Sequence, residues 1–136
     1  MKRPHRDESL RWLTQAKDEF QDADDLRKNG RFYLALFHFQ QASEKALKAY
    51  LYLKAESIDV FYTHSIDELI RMACELDKDF GDVVSAKKLD QYYIPTRYPN
   101  GLPGGIPSRF FDDPKEAEDA MKLAKSVVDL VEIKFA

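Results

Sequence analysis

Arg31-Phe32-Tyr33-Leu34-Ala35-Leu36-Phe37-His38-Phe39-Gln40-Gln41-Ala42-Ser43-Glu44-Lys45-Ala46-Leu47-Lys48-Ala49-Tyr50-Leu51-Tyr52-Leu53-Lys54 is a 24-residue run that is apolar around most of its circumference. On a wheel of about 100° per residue, Phe32, Ala35, Phe39, Ala42, Ala46, Ala49, Tyr50 and Leu53 form one broad stripe. Leu36, Leu47 and Leu51 widen it, so the segment reads as a helix that must be enclosed on several sides. Partners within a small bundle are expected to cover only part of that circumference, which predicts a subunit interface and a two-fold homodimer. The exception is a narrow polar window made of Gln41, Glu44, Lys45 and Lys48. Glu44 and Lys48 are spaced i,i+4 in the favourable order, which taken alone reads as a surface pair contributing a few tenths of a kcal/mol.

Working outward, Leu10, Leu13, Ala16, Phe20, Ala23 and Leu26 recur at spacings of three and four, which predicts a helix from Asp7 to Asn29. Gly30 ends it, because glycine accepts the left-handed backbone that closes a helix. So short a connection makes the first two helices antiparallel neighbours. Further on, Ser65 followed by Glu68 is a capping box that starts a third helix running to Lys78, with Ile66, Leu69, Ile70, Ala73 and Leu76 inward. A shorter helical segment is predicted from Asp82 to Tyr93, with Val83, Val84, Leu89 and Tyr92 inward. Residues 94–111 hold four prolines and three glycines and read as a long loop, a kind of segment that is often functional. The last helix has Asp113 as N-cap, Pro114 in the first turn and Glu116 three residues after the cap, and runs to Lys134. Residues 1–7 are expected to be a tail and 8–134 one all-α domain.

A chain of 136 residues fits one domain, and 44% hydrophobic with 12% aromatic residues supplies a packed core. A net charge of −3 argues against holding nucleic acid by a general blanket of positive charge. The first thirty residues are charged throughout, with no apolar run of leader or membrane-span length, so a cytoplasmic protein without membrane association is expected. Cys74 is the single cysteine and reads as a structural thiol. With three scattered histidines it gives no zinc spacing, so neither a metal nor a cofactor is expected.

His38 lies three residues before Gln41 and seven before Lys45, and the three form one ridge, with Arg31 seven residues before His38 on nearly the same side. A histidine there is either a hydrogen-bonded helix residue or a proton-transfer group.

Three blocks carry a resemblance. The run from Ala35 to Ala49, then Thr63-His64-Ser65, then Tyr93-Ile94-Pro95-Thr96-Arg97-Tyr98-Pro99 resemble the HEPN domain family in sequence, order and spacing, over about residues 8 to 132. The resemblance implies an antiparallel, up-and-down four- to five-helix bundle, usually homodimeric. It often acts beside a minimal nucleotidyltransferase in a toxin–antitoxin-like pair. Many members cut RNA with an Arg, four to six residues and a His near the start of a late helix. Here no histidine follows His64, so neither Arg97 nor Arg109 has that partner. Arg31 and His38 have the formal spacing but sit in the second helix, where the match reads as chance, and the balance leans away from an enzyme.

Arg97 and Tyr98 are expected to project from the proline-stiffened loop near Lys45, Lys48 and His64, a set able to hold a phosphate and a base. The alternative is that Arg97 pairs with a carboxylate such as Glu44, that Tyr98 plugs the end of the bundle and that His64 locks the start of the third helix. The expected function is therefore binding of a nucleotide or phosphate group by Gln41, Glu44, Lys45, Lys48, His64, Arg97 and Tyr98, with or without a nucleotidyltransferase partner. The rivals are a metal-independent endoribonuclease using Arg31, His38 or His64, and a purely structural interaction bundle.

Overall fold

Gly30 turns the chain between its two longest helices with φ of 77°. Its N–H donates to the Arg27 carbonyl and the Arg31 N–H to the Leu26 carbonyl, the paired bonds of a glycine-closed helix end. The computed structural model describes residues 3–55 and 58–136. Of the expected tail, Met1 and Lys2 lie outside the described residues and the rest is already helix, since α1 runs Arg3–Lys28. After Gly30 comes α2, Phe32–Ala55, then a 3-10 turn, Ile58–Phe61, and α3, Ile66–Leu76. A 3-10 helix, Lys78–Tyr92, leads to a 3-10 turn at Pro99–Gly101, the four-residue α4, Pro107–Phe110, and finally α5, Pro114–Phe135. Among the described residues there is no strand, and the architecture is the antiparallel helical bundle.

The central helix is enclosed more completely than its sequence suggested. No residue from Phe32 to Leu53 is exposed, and α1, α3, α4, α5 and both neighbouring 3-10 segments of the same chain pack on α2. The premise that a second subunit must cover it is therefore corrected: α1 and α5 take the broad faces and the shorter elements fill the rest. Leu36, Phe39, Leu47 and Leu51 are each at most 1% exposed. Burying one such side chain contributes about 1.5–3 kcal/mol. Among the described residues no helix is long and apolar enough to cross a membrane.

The segment after α3 is a 3-10 helix of 15 residues, where runs beyond three or four are uncommon. Its core residues Phe80, Val83, Ala86, Leu89 and Tyr92 are spaced by three throughout. At three residues per turn they line up on one edge, whereas at 3.6 they would spiral away from the core. Val84, expected inward, is 46% exposed for that reason. Asp77 ends α3 and caps this helix by accepting from the Asp79 N–H. Lys134, near the end of α5, pairs with Asp77 at 2.8 Å and Asp79 at 2.6 Å and ties the bundle's last helix to that start. Lys17 and Glu132 join α1 to α5.

The stretch expected as a loop is built rather than structureless. Buried Thr96 donates its hydroxyl to the Tyr92 carbonyl, Pro107 opens α4 and is buried, and Phe111 meets Tyr92 edge-on at 5.9 Å. Tyr92 in turn donates its hydroxyl to Glu116 of α5 at 2.8 Å. These contacts tie Thr96 and Phe111 to Tyr92 and, through it, to α5.

Candidate functional site

The polar window of α2 faces inward. Glu44 and Lys48, expected as a surface pair, have side chains only 5% and 2% exposed and bond at 2.8 Å. They are buried because α3 and the Ile58–Phe61 turn close over this side of α2, with Lys48 also donating to the Phe61 carbonyl at 3.3 Å. A buried ion pair persists only when its remaining lone pairs and protons are satisfied. Here Gln40 and Gln41 both donate to Glu44 Oε1 at 3.4 Å, while Gln41 donates to Gln40 Oε1 at 2.7 Å.

A second carboxylate joins from α1. Glu19 Oε2 lies 2.7 Å from His38 Nδ1, and its Oε1 accepts from Lys45 Nζ at 2.8 Å. Lys45 also donates to Gln41 Oε1 at 3.2 Å, so Gln41 joins the two carboxylate centres into one network along α2. Burial raises the Glu19 carboxyl, but the hydrogen bonds from His38 and Lys45 outweigh it and hold Glu19 below its ordinary value. The ridge of His38, Gln41 and Lys45 is real and turned toward α1, where its partner waits.

The network reaches solvent at His64. Its Nδ1 lies 3.1 Å from Glu44 Oε2, its ring is 52% exposed, and it stacks on Tyr93 with centroids 4.8 Å apart and planes within 18°. Tyr93 also carries the Arg97 guanidinium at 4.6 Å, which lies 4.6 Å from the Phe37 ring and 5.0 Å from Tyr98. Arg97 Nε donates to the Tyr93 carbonyl at 2.8 Å, which fixes the side chain over these rings. The chain folds this way locally because residues 93–97 form consecutive turns, in which the Arg97 and Tyr98 N–H groups both return to the Ile94 carbonyl.

Beside His64 is a surface hollow of about 310 Å³ lined by Thr63, Ser65, Asp90 and Tyr93. Ser65 caps α3 as expected, accepting from the Glu68 N–H at 3.1 Å. Asp90 then takes the N–H groups of Ile66 at 2.7 Å and Asp67 at 3.0 Å and the Ser65 hydroxyl at 3.3 Å. The positive end of α3 is thus already neutralised from within the fold.

The expected site residues therefore divide. His64, Arg97 and Tyr98 share one surface with Phe37 and Tyr93, whereas Glu44 and Lys48 are interior and Gln41 and Lys45 are partly buried within the same network. The proposed pairing of Arg97 with Glu44 is not formed: Glu44 is committed to Lys48 and His64. Among the described residues no carboxylate lies within ion-pair distance of Arg97. Nor does Tyr98 plug the bundle, being 50% exposed. Arg31 is exposed at the start of the α2 region, with no side-chain contact that brings it to His38. Sequence reading missed Glu19, Gln40 and Asp90. Glu19 carried a signal, because it stands three residues after Ala16 and four before Ala23, in register with the buried edge of α1. Among the described residues no three His, Cys, Asp or Glu side chains are grouped to hold a metal ion.

The family model described as HEPN domain matches residues 9–134. Two solved structures resemble the chain closely. One is the crystal structure of TT1696 from Thermus thermophilus, at 35% identity and a TM-score of 0.78, covering 93% of this chain and 97% of that one. The other is the crystal structure of an archaeal HEPN homologue, at 26% identity and a TM-score of 0.74, covering 94% of this chain and 98% of that one. Among curated proteins none matches.

Proposed function

The chain belongs to the HEPN domain family, and from that premise we propose that it is a binding module for a nucleotide or other phosphate-bearing ligand, partnered by a minimal nucleotidyltransferase in a toxin–antitoxin-like pair. The observation that carries the ligand is Arg97, an exposed guanidinium seated over three aromatic rings without a carboxylate partner among the described residues. With Nε given to the Tyr93 carbonyl, the two terminal nitrogens of the guanidinium remain to donate to phosphate oxygens. Exposed Tyr98 offers a face on which a base can stack. His64 stands on the same aromatic platform to meet the sugar or phosphate. In this reading the interior pair Glu44 and Lys48 and the partly buried Gln41 and Lys45 support this surface from behind.

Isothermal titration of the full chain with ATP and other nucleotides, repeated for Arg97→Ala and Lys45→Ala, tests the reading. Arg97→Ala is expected to lose most of the affinity and Lys45→Ala much less. Equal binding by Arg97→Ala and the parent contradicts it, and absence of nucleotide binding returns the protein to a purely structural interaction bundle. The homodimer belongs to the same proposal, and sedimentation at micromolar concentration checks it; a stable monomer removes it.

A metal-independent endoribonuclease is the second reading, favoured by one observation. His38 and His64 each set Nδ1 against a buried carboxylate, and they contact Phe37 at 5.1 Å and Tyr93 at 4.8 Å, two of the rings beneath Arg97. RNA cleavage through the 2′-hydroxyl needs a base, an acid and a cation, and this surface holds candidates for all three. Purified protein in chelator should then cut single-stranded RNA, and His38→Ala or His64→Ala should abolish the cut. Cutting at the parent rate by both variants excludes the reading.

A further inference from the structure

The partners of Glu44 determine which nitrogen of His64 carries its proton. Glu44 is buried beside the Lys48 ammonium and receives side-chain donors from Gln40, Gln41 and Lys48, so its oxygens serve as acceptors. His64 Nδ1, 3.1 Å from Glu44 Oε2, must therefore be the donor in that contact. In the neutral ring this leaves Nε2 without a proton. Nε2 has no hydrogen-bond partner among the described residues, and the ring is half exposed. The other charged groups nearby do not reverse this assignment. Asp90 is spent on the backbone of α3 and the Ser65 hydroxyl, and Arg97 approaches the shared Tyr93 ring as a donor-only cation.

On the reading that Arg97 holds a phosphate, we infer that Glu44 is a positioning residue that presents His64 Nε2 outward as a hydrogen-bond acceptor, and that His64 thereby selects ligands carrying a sugar hydroxyl beside the phosphate. A guanidinium and a stacking ring bind phosphate and base whichever sugar joins them. Neither can read a hydroxyl as a donor. In the neutral ring the bare Nε2 supplies an acceptor, and Glu44 behind it fixes which of the two nitrogens is bare.

The test uses the full chain labelled with 15N at about pH 8, above the ordinary imidazole range. Long-range proton–nitrogen spectra report the tautomer of His64 in the free protein, and titrations compare adenosine 5′-monophosphate with its 2′,3′-dideoxy analogue. The expected result is a ring protonated on Nδ1, with the hydroxylated nucleotide bound several-fold and up to about tenfold more tightly, the scale of one neutral hydrogen bond. Its binding should move the Nε2 resonance. His64→Ala is expected to erase the preference between the two nucleotides. Glu44→Gln should mix the tautomers and shrink the preference; if that variant does not fold, the half-exposed His64→Ala carries the comparison. A ring protonated on Nε2 overturns the inference. Equal affinity for the two nucleotides, with both lost in Arg97→Ala, overturns it while leaving the phosphate reading in place. Binding of neither nucleotide overturns both.

Discussion

Glu44 Oε2 stands 3.1 Å from His64 Nδ1, joining a carboxylate that is 5% exposed to an imidazole that is 52% exposed. The contact carries the buried polar network of α2 to the surface beside Tyr93 and Arg97. It also makes Glu44 the residue on which the interior and the site both depend.

Glu44→Ala should leave the Lys48 ammonium buried without its counter-charge, with the Phe61 carbonyl as its remaining partner among the described residues. A loss of about 3–5 kcal/mol is expected from breaking such a pair on one side. Urea denaturation measures it, and Glu44→Ala combined with Lys48→Met should recover much of the loss. A loss below about 1 kcal/mol, the range of exposed pairs, would place the two charges in water.

Acid should weaken the bundle through Glu19. Its folded-state value lies below the ordinary 4.5, since the hydrogen bonds from His38 and Lys45 outweigh the opposing effect of burial. The ionised carboxyl thus contributes stability that is fully present above the ordinary value and lost as pH falls through the lower, folded one. Glu19→Gln should cost about 1.5–3 kcal/mol at neutral pH. The gap between parent and variant should close in acid. A gap that stays constant down to about pH 3 contradicts this assignment.

The alkaline limb should involve Tyr92. Burial first, then the hydrogen bond to Glu116, raises its hydroxyl above the ordinary 10.0. A raised folded value means stability that is present below pH 10.0 and lost as pH climbs through the folded value. Tyr92→Phe should cost about 1 kcal/mol at neutral pH and remove this component of the alkaline decline. An unchanged decline in the variant would show that Tyr92 does not contribute to it.

The three-residue period of Lys78–Tyr92 separates two adjacent valines. Val83 is 4% exposed and Val84 46%. Val83→Asp buries an unpaired charge and should unfold the domain or cost several kcal/mol, whereas Val84→Asp should lie within about 0.5 kcal/mol of the parent. Thermal melts of the two variants decide it, and equal losses would mean that the segment is an ordinary α-helix.

That segment also marks where sequence reading stopped. Phe80, Val83, Ala86, Leu89 and Tyr92 display their period of three openly, but a template of 3.6 draws Val84 inward and leaves Ala86 out. The helix starts were legible because their signals are local: Gly30 at the first turn, Ser65 before α3, and Asp113 with Pro114 before α5. Enclosure of α2 by its own chain was not, since a wheel shows how much surface is apolar without showing what covers it. The site divides in the same way. His64, Arg97 and Tyr98 come from the short blocks that carry the family resemblance. The burial of Glu44 and Lys48 and the arrival of Glu19 and Asp90 depend on packing between elements distant in sequence.

The face where Arg97 lies over Phe37, Tyr93 and Tyr98 is expected to bind a phosphate-bearing ligand. Backbone amide spectra of the 15N-labelled chain titrated with adenosine 5′-monophosphate test it most directly. Saturable shifts are expected, concentrated at Phe37, His64, Tyr93, Arg97 and Tyr98, and they should disappear in Arg97→Ala. Shifts centred elsewhere, such as the groove between Lys88, Phe110 and Lys122, or shifts that survive Arg97→Ala, would contradict it.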